Sequence, residues 1–276
     1  MKTGKTRTKK DLKMKKTILS GWPLALSTVL AMAAPELRAD RVIMKSGQVI
    51  EAKSIRFKPS AQEYSVVTLD NITTPIPAKN VEKVEVPKPA ALAAAQASVA
   101  AGKYDAAIGP LDTIIAENVG LEWDNTARDF LGQAYLGKRD GKKAVSIYKE
   151  YLENVPADKV SLDVRRRYWD ALKIAEMFPT LKNDLEKVIK EGSRPMAALA
   201  QMMRGEMYAA QGQKNEALLD FLRTALLYED VKQLQPEALF KAAQLLEELR
   251  DPRAAELRKK LAQDYPNSPY AKKAGG

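Results

Sequence analysis

The sequence predicts a mainly α chain, a solenoid of helical hairpins preceded by a small β-barrel-like domain. Three observations predict it. The first is a recurring unit in which a small residue is followed by an aromatic three positions on and by Ala twelve positions on: Gly132, Tyr135 and Ala144, then Gly205, Tyr208 and Ala217. That spacing lets two antiparallel helices approach closely and stack on the next pair. The second is a run of short β-rich segments ahead of these units, with apolar and polar residues partly alternating. The third is Pro87-Lys88-Pro89 between the two regions, where two residues without an N–H donor suit an extended connector. The organisation expected is a leader at 1–39, a β module at 40–87 and a repeat domain at 88–276.

The leader carries much of the chain's charge. The formal net charge is +10, but residues 1–39 hold nine Lys/Arg against two Asp/Glu, leaving 36 basic and 33 acidic residues in the remainder. The remainder is close to balance and has no electrostatic footprint that demands a polyanion, so no nucleic acid partner is expected. Lys15 and Lys16 precede an apolar run over 24–34 that is short for a membrane span. Small-residue cleavage sites lie at Ala31-Met32-Ala33 and Leu37-Arg38-Ala39. This is the pattern of a secretory signal peptide, and Met14 reads as a natural start. The expected location is periplasmic or secreted. The alternative is an inner-membrane anchor formed by an uncleaved 17–34 segment, the only route by which membrane contact is expected, with Gly21 and Pro23 against it. The chain has no Cys, so it lacks the residue on which a bacterial lipoprotein is acylated, and disulfides cannot support the exported fold.

Strands are predicted over 41–44, 48–57, 64–69, 73–76 and 81–86, with Ser46-Gly47 as a tight turn between the first two. Five short strands in so few residues suggest a strongly bent barrel, and the layout resembles SH3-like or Sm-like small barrels. The first repeat helix is expected to start at about Ala90, where the alanine-rich run begins.

The helical units fit windows 88–121, 125–158 and 198–231. Ala95, Gly102, Tyr104, Ala107 and Leu111 mark the first; Gly132, Tyr135, Ala144, Tyr148 and Pro156 the second; Gly205, Tyr208, Gly212, Ala217 and Phe221 the third. At these residues the chain resembles the tetratricopeptide family, whose repeat is about 34 residues long. Ser98 replaces the family's aromatic in the first window, and Arg139 stands where the second should carry Gly. Residues 161–192 have the length of another pair without the Gly and Ala landmarks. A last unit at 236–266 keeps Ala243, Ala255 and Tyr265-Pro266. The following Ser268-Pro269-Tyr270-Ala271 is similar to a junction of bacterial envelope tetratricopeptide proteins.

With neither His nor Cys, the chain cannot assemble a Ser-His-Asp or Cys-His unit or an imidazole or thiolate metal site. No cofactor is expected. Paired carboxylates such as Glu150 with Glu153, or Glu247 with Glu248, would be the acid/base groups of an envelope-associated enzyme, yet on charged helices they read as a solvated face. Gly137-Lys138-Arg139-Asp140-Gly141 reads as a turn inside a repeat, and Lys138, Arg139, Lys142 and Lys143 as solubilising charge. Arg165-Arg166-Arg167 next to Tyr168-Trp169 is the feature a nucleic-acid binder would use together with the β module. Successive helical residues point about 100° apart, however, so the three cannot form one patch.

The resemblance places binding at inward positions of each repeat's first helix. It implies Leu92, Gln96 and Val99 in the first window, Asp129, Gln133 and Leu136 in the second, and Leu199, Met202, Glu206 and Ala209 in the third. Such a groove is mixed apolar and amide-bearing, without the Lys/Asn set by which some relatives clamp a terminal carboxylate. It fits an extended or helical protein segment held by amides and apolar anchors. In the competing reading, Leu92, Leu199 and Met202 pack against neighbouring helices. The function expected is a non-catalytic interaction adaptor or scaffold of the bacterial cell envelope.

Overall fold

A computed structural model describes residues 39–275. The proposed leader falls almost wholly outside them. β1 (Asp40–Met44), β2 (Val49–Lys58), β3 (Glu63–Thr68), β4 (Thr73–Pro77) and β5 (Val81–Glu85) form one antiparallel sheet in the order β4-β3-β2-β1-β5. Gly47 closes the first hairpin at φ +83°, a backbone conformation open to it because it has no Cβ, and its N–H donates to the Met44 carbonyl. A register shift between Ala52 and Ser54 turns β2 so that both Ala52 and Ile55 face inward. They join Val42, Val66, Ile76 and Val81 in a small buried cluster.

The expected barrel does not close. β4 and β5 lie at opposite edges of the sheet. The outer strand β4 contains Pro75 and Pro77, which have no N–H with which to continue the ladder, a common guard on an edge strand. Leu121, from the helical region, completes the sheet's core instead. Beside it the Trp123 indole N–H donates to the Val86 carbonyl at 3.0 Å. Gly120, at φ +68°, lies under the Phe57 ring, where a Cβ would come within 2.5 Å of the ring carbon Cδ1. Through these contacts the sheet rests on the loop before the third helix as well as on its proline connector.

The helices pair as α1 (Ala90–Ala100) with α2 (Tyr104–Glu117), α3 (Glu122–Gly137) with α4 (Gly141–Asn154), α5 (Leu162–Ile174) with α6 (Phe178–Glu191), α7 (Arg194–Ala210) with α8 (Lys214–Leu227), and α9 (Gln235–Glu248) with α10 (Arg253–Asp264). A short α11 (Pro269–Gly275) follows. This is a tetratricopeptide-type hairpin solenoid. Every hairpin turns through one left-handed residue: Gly102, Arg139, Glu176, Gly212 and Arg250, recurring every 36–38 residues rather than every 34. After each, the next N–H bonds back to a carbonyl in the last turn of the first helix, as Asp140 does to Tyr135 and Gln213 to Tyr208. Arg139 therefore performs the turn that Gly performs elsewhere, at a steric cost. Arg139→Gly, Glu176→Gly and Arg250→Gly should each raise stability by about 0.5–1 kcal/mol, read as a higher urea midpoint at unchanged slope.

In the second and fourth hairpins a glycine on the first helix receives a ring from the second. A Cβ on Gly132 would stand 2.5 Å from the Tyr148 ring, and one on Gly205 2.7 Å from the Phe221 ring. The third hairpin reverses the sizes. Trp169 occupies the place of Gly132, and Leu185 that of Tyr148; both are fully buried. The Trp169 indole N–H donates to Asp184 on α6 at 2.5 Å. Residues 161–192 thus form a repeat whose landmarks are exchanged across the helix pair.

Candidate protein-binding surface

The first helices α3, α5, α7 and α9 are linked to one another by several side-chain ion pairs. On α3, Asp129 receives Arg167 Nη1 at 2.9 Å on both carboxylate oxygens and the Gln133 amide at 3.1 Å, with the Tyr148 hydroxyl at 3.3 Å. Arg166 passes over Met202 of α7 and reaches α9, donating to Glu237 at 2.7 Å and 3.2 Å. Glu206 on α7 lies between Lys173 of α5, at 2.6 Å, and Lys241 of α9, at 2.5 Å. Lys241 also pairs with Glu237. The ladder ties α5, α7 and α9 together.

Burial raises the cost of every charge here, and the partners decide the outcome. Burial works against the charged form of Glu206, yet Lys241 and Lys173 override it and hold the carboxyl at about 2. Glu237 is lowered too, burial being outweighed by Arg166 and Lys241. For Asp129 burial prevails and raises the pKa despite Arg167, Tyr148 and Gln133. Tyr270 of α11 is pushed up to about 12 by burial and by Glu237 beneath it.

One stretch of the inner surface is unfilled. A depression of about 340 Å³ opens between α1, α3 and α5, lined by Val99, Ala100, Tyr104, Phe130, Gln133, Leu136, Gly137 and Arg167. Tyr104 forms its end wall because Gly137 leaves room for the ring. Of the residues expected to bind, this site brings together Val99, Gln133 and Leu136, with Asp129 just behind Gln133 and Arg167. Gln96 is half-buried on α1, and Ala209 is exposed near the end of α7. Leu92, Leu199 and Met202 lie in the core, exposed by 1 % or less, as in the competing reading in which they pack against neighbouring helices. Met202 also lies under the Arg166 guanidinium, 4.0 Å from its Nη2. Glu206 is enclosed by its two lysines.

Tyr104, Phe130 and Arg167 complete the site without having been expected there. Arg167 had a readable signal. Its partner Asp129 lies 38 residues earlier, close to one repeat.

The arginine run splays as the helical geometry requires. Arg165 lies over the Trp169 ring near Asp184 of α6, Arg166 reaches α9 and Arg167 reaches α3. Tyr168 and Trp169 are buried. Glu150 pairs with Arg128, Glu247 with Arg258 and Glu248 with Lys214, all on outward or rim positions. Lys138 pairs with Asp105 and Lys143 with Asp140. No helix among the described residues is long and apolar enough to cross a membrane.

No family model matches the chain, and no curated protein does. Among solved structures it is similar to a putative kinesin light chain from Podosopora anserina with nearly identical TPR-like repeats, at 15% identity and TM-score 0.47, covering 64% of this chain and 95% of that one. A single-substitution variant of the same protein gives 14% identity and TM-score 0.49, covering 62% and 91%. YrrB, a TPR protein with an unusual peptide-binding site, gives 17% identity and TM-score 0.40, covering 66% and 88%.

Proposed function

We propose that this chain is a non-catalytic adaptor of the bacterial cell envelope that binds a protein segment on its concave surface. The observation that carries the reading is the unfilled depression between α1, α3 and α5, which offers apolar, amide and guanidinium groups, while Arg166, Lys173, Glu206, Glu237 and Lys241 on the neighbouring first helices are tied to each other. Of the carboxylates considered for catalysis, Glu150, Glu247 and Glu248 sit in ion pairs and Glu153 is exposed, and each arginine of the run lies by a carboxylate of its own. Affinity capture from envelope extract tests the proposal. Gln96→Ala with Gln133→Ala should reduce captured partner several-fold while far-UV circular dichroism is unchanged, since partly exposed polar positions contribute little to the core. Undiminished capture would move the site to the β sheet or to the outer helices.

Export belongs to the same proposal and rests on the sequence of the leader. N-terminal sequencing of cell-derived protein should find a start between Ala34 and Arg41. An intact 17–34 segment would make the chain membrane-anchored.

A further inference from the structure

We propose that the depression between α1, α3 and α5 reads one uncharged peptide unit of an extended segment. In this arrangement Val99, Phe130 and Leu136 seat an apolar side chain, Gln133 accepts from the main-chain N–H, and Arg167 donates to the neighbouring carbonyl. The inference rests on the adaptor reading and specifies the chemistry of its ligand.

Asp129 sets the orientation of both polar groups. It accepts from the Gln133 amide nitrogen at 3.1 Å, which fixes the amide with its oxygen away from the carboxylate and available as an acceptor. It also engages Arg167 through one nitrogen, Nη1, at 2.9 Å to each oxygen. A guanidinium carries five N–H donors in a rigid fork, so donors remain for a ligand. An acceptor and a donor are thereby held side by side over an apolar floor, which is the complement of a peptide unit and its side chain.

Charge decides between a main-chain amide and a carboxylate. Arg167 is already paired with Asp129, so an incoming carboxylate would meet a compensated cation with a partly buried anion behind it. A neutral amide meets no such repulsion. The volume, about 340 Å³, is at the small end of ligand sites and suits one side chain rather than a folded surface. Beyond α5 the inner face is closed by Arg166–Glu237 and Lys173–Glu206–Lys241, which confines the segment to this end.

The test uses the full chain, methyl-labelled, and three probes: N-acetyl-leucine N-methylamide, N-acetyl-alanine N-methylamide and N-acetyl-leucine with its free carboxylate. The leucine amide should shift the Val99 and Leu136 methyl resonances saturably at roughly millimolar concentration, as expected of so small a ligand. It should bind at least fivefold tighter than either other probe. Gln133→Met, which keeps the length and removes the acceptor, should weaken it at least fivefold. Intermolecular NOEs from the probe's isobutyl group to Val99 and Leu136 in the unsubstituted chain supply the same information without a variant. Absence of saturable shifts, absence of those NOEs, equal or tighter binding of the carboxylate, or unchanged binding by folded Gln133→Met would each overturn the inference. If partner capture still fell on the Gln96/Gln133 double change, the adaptor reading would stand without it.

Discussion

Glu206→Lys should unfold the C-terminal half of the solenoid at temperatures the native chain withstands. The substitution sets a third ammonium between Lys173 and Lys241, which now donate to Glu206 from helices on either side of α7. Glu206→Gln is the milder form: it leaves two partly buried lysines without their shared anion, and because Lys173 keeps Asp170 and Lys241 keeps Glu237, the cost should fall at or below the low end of the range, about 3–5 kcal/mol, that an unpaired buried charge costs. That is a large share of a typical domain's stability.

The acid limb of stability should show the same group. Glu206 is held at about 2 in the folded chain against an ordinary 4.5, so its contribution is complete above about pH 4.5 and is lost as the pH falls toward about 2. A shift of that size corresponds to about 3 kcal/mol. Urea midpoints between pH 2 and 6 should fall steeply for the native chain and less for Glu206→Gln. Parallel curves would show that the ladder contributes nothing.

Gly132→Leu carries the second large effect. At this position a Cβ alone would stand 2.5 Å from the Tyr148 ring, which is itself fully buried with its hydroxyl on Asp129. The larger side chain must separate α3 from α4, at a cost of about 1–3 kcal/mol from overpacking. Displacing Tyr148 also disturbs Asp129 and Arg167, so partner capture should fall with stability. Gly132→Ala combined with Tyr148→Leu should cost less than the sum of the two single changes, since the ring is what the new Cβ meets. An unchanged melting curve for Gly132→Leu would contradict the packing.

What the sequence could disclose follows from the range of the interactions. Gly132, Ala144 and Tyr148 are readable because their spacing within one hairpin is set by helix geometry. The splay of Arg165, Arg166 and Arg167 is readable because it is a property of one helix. Trp169 and Leu185 hide their repeat because an exchange of large and small across two helices preserves packing while erasing the landmarks in sequence. The ion ladder is a relation between repeats: Arg166 and Glu237 are 71 residues apart, and Glu206 lies 33 and 35 residues from its two lysines. Opposite charges at inward places one or two repeats apart would have been the signal. Without it, Glu206 reads as an exposed groove residue. The barrel expectation failed for a similar reason. Strand number and turns can be read locally, but closure depends on which edges meet, and the prolines of β4 leave that edge poor in donors.

The most direct test of the concave-surface account is hydrogen exchange on the full chain with and without its captured partner. Added protection is predicted over 92–104 and 129–137, the segments of α1 with the turn into α2 and of α3 that border the depression, with the ladder helices α7 and α9 unchanged. Protection confined to the sheet at 40–85 or to the outer helices α4, α6, α8 and α10 would contradict it.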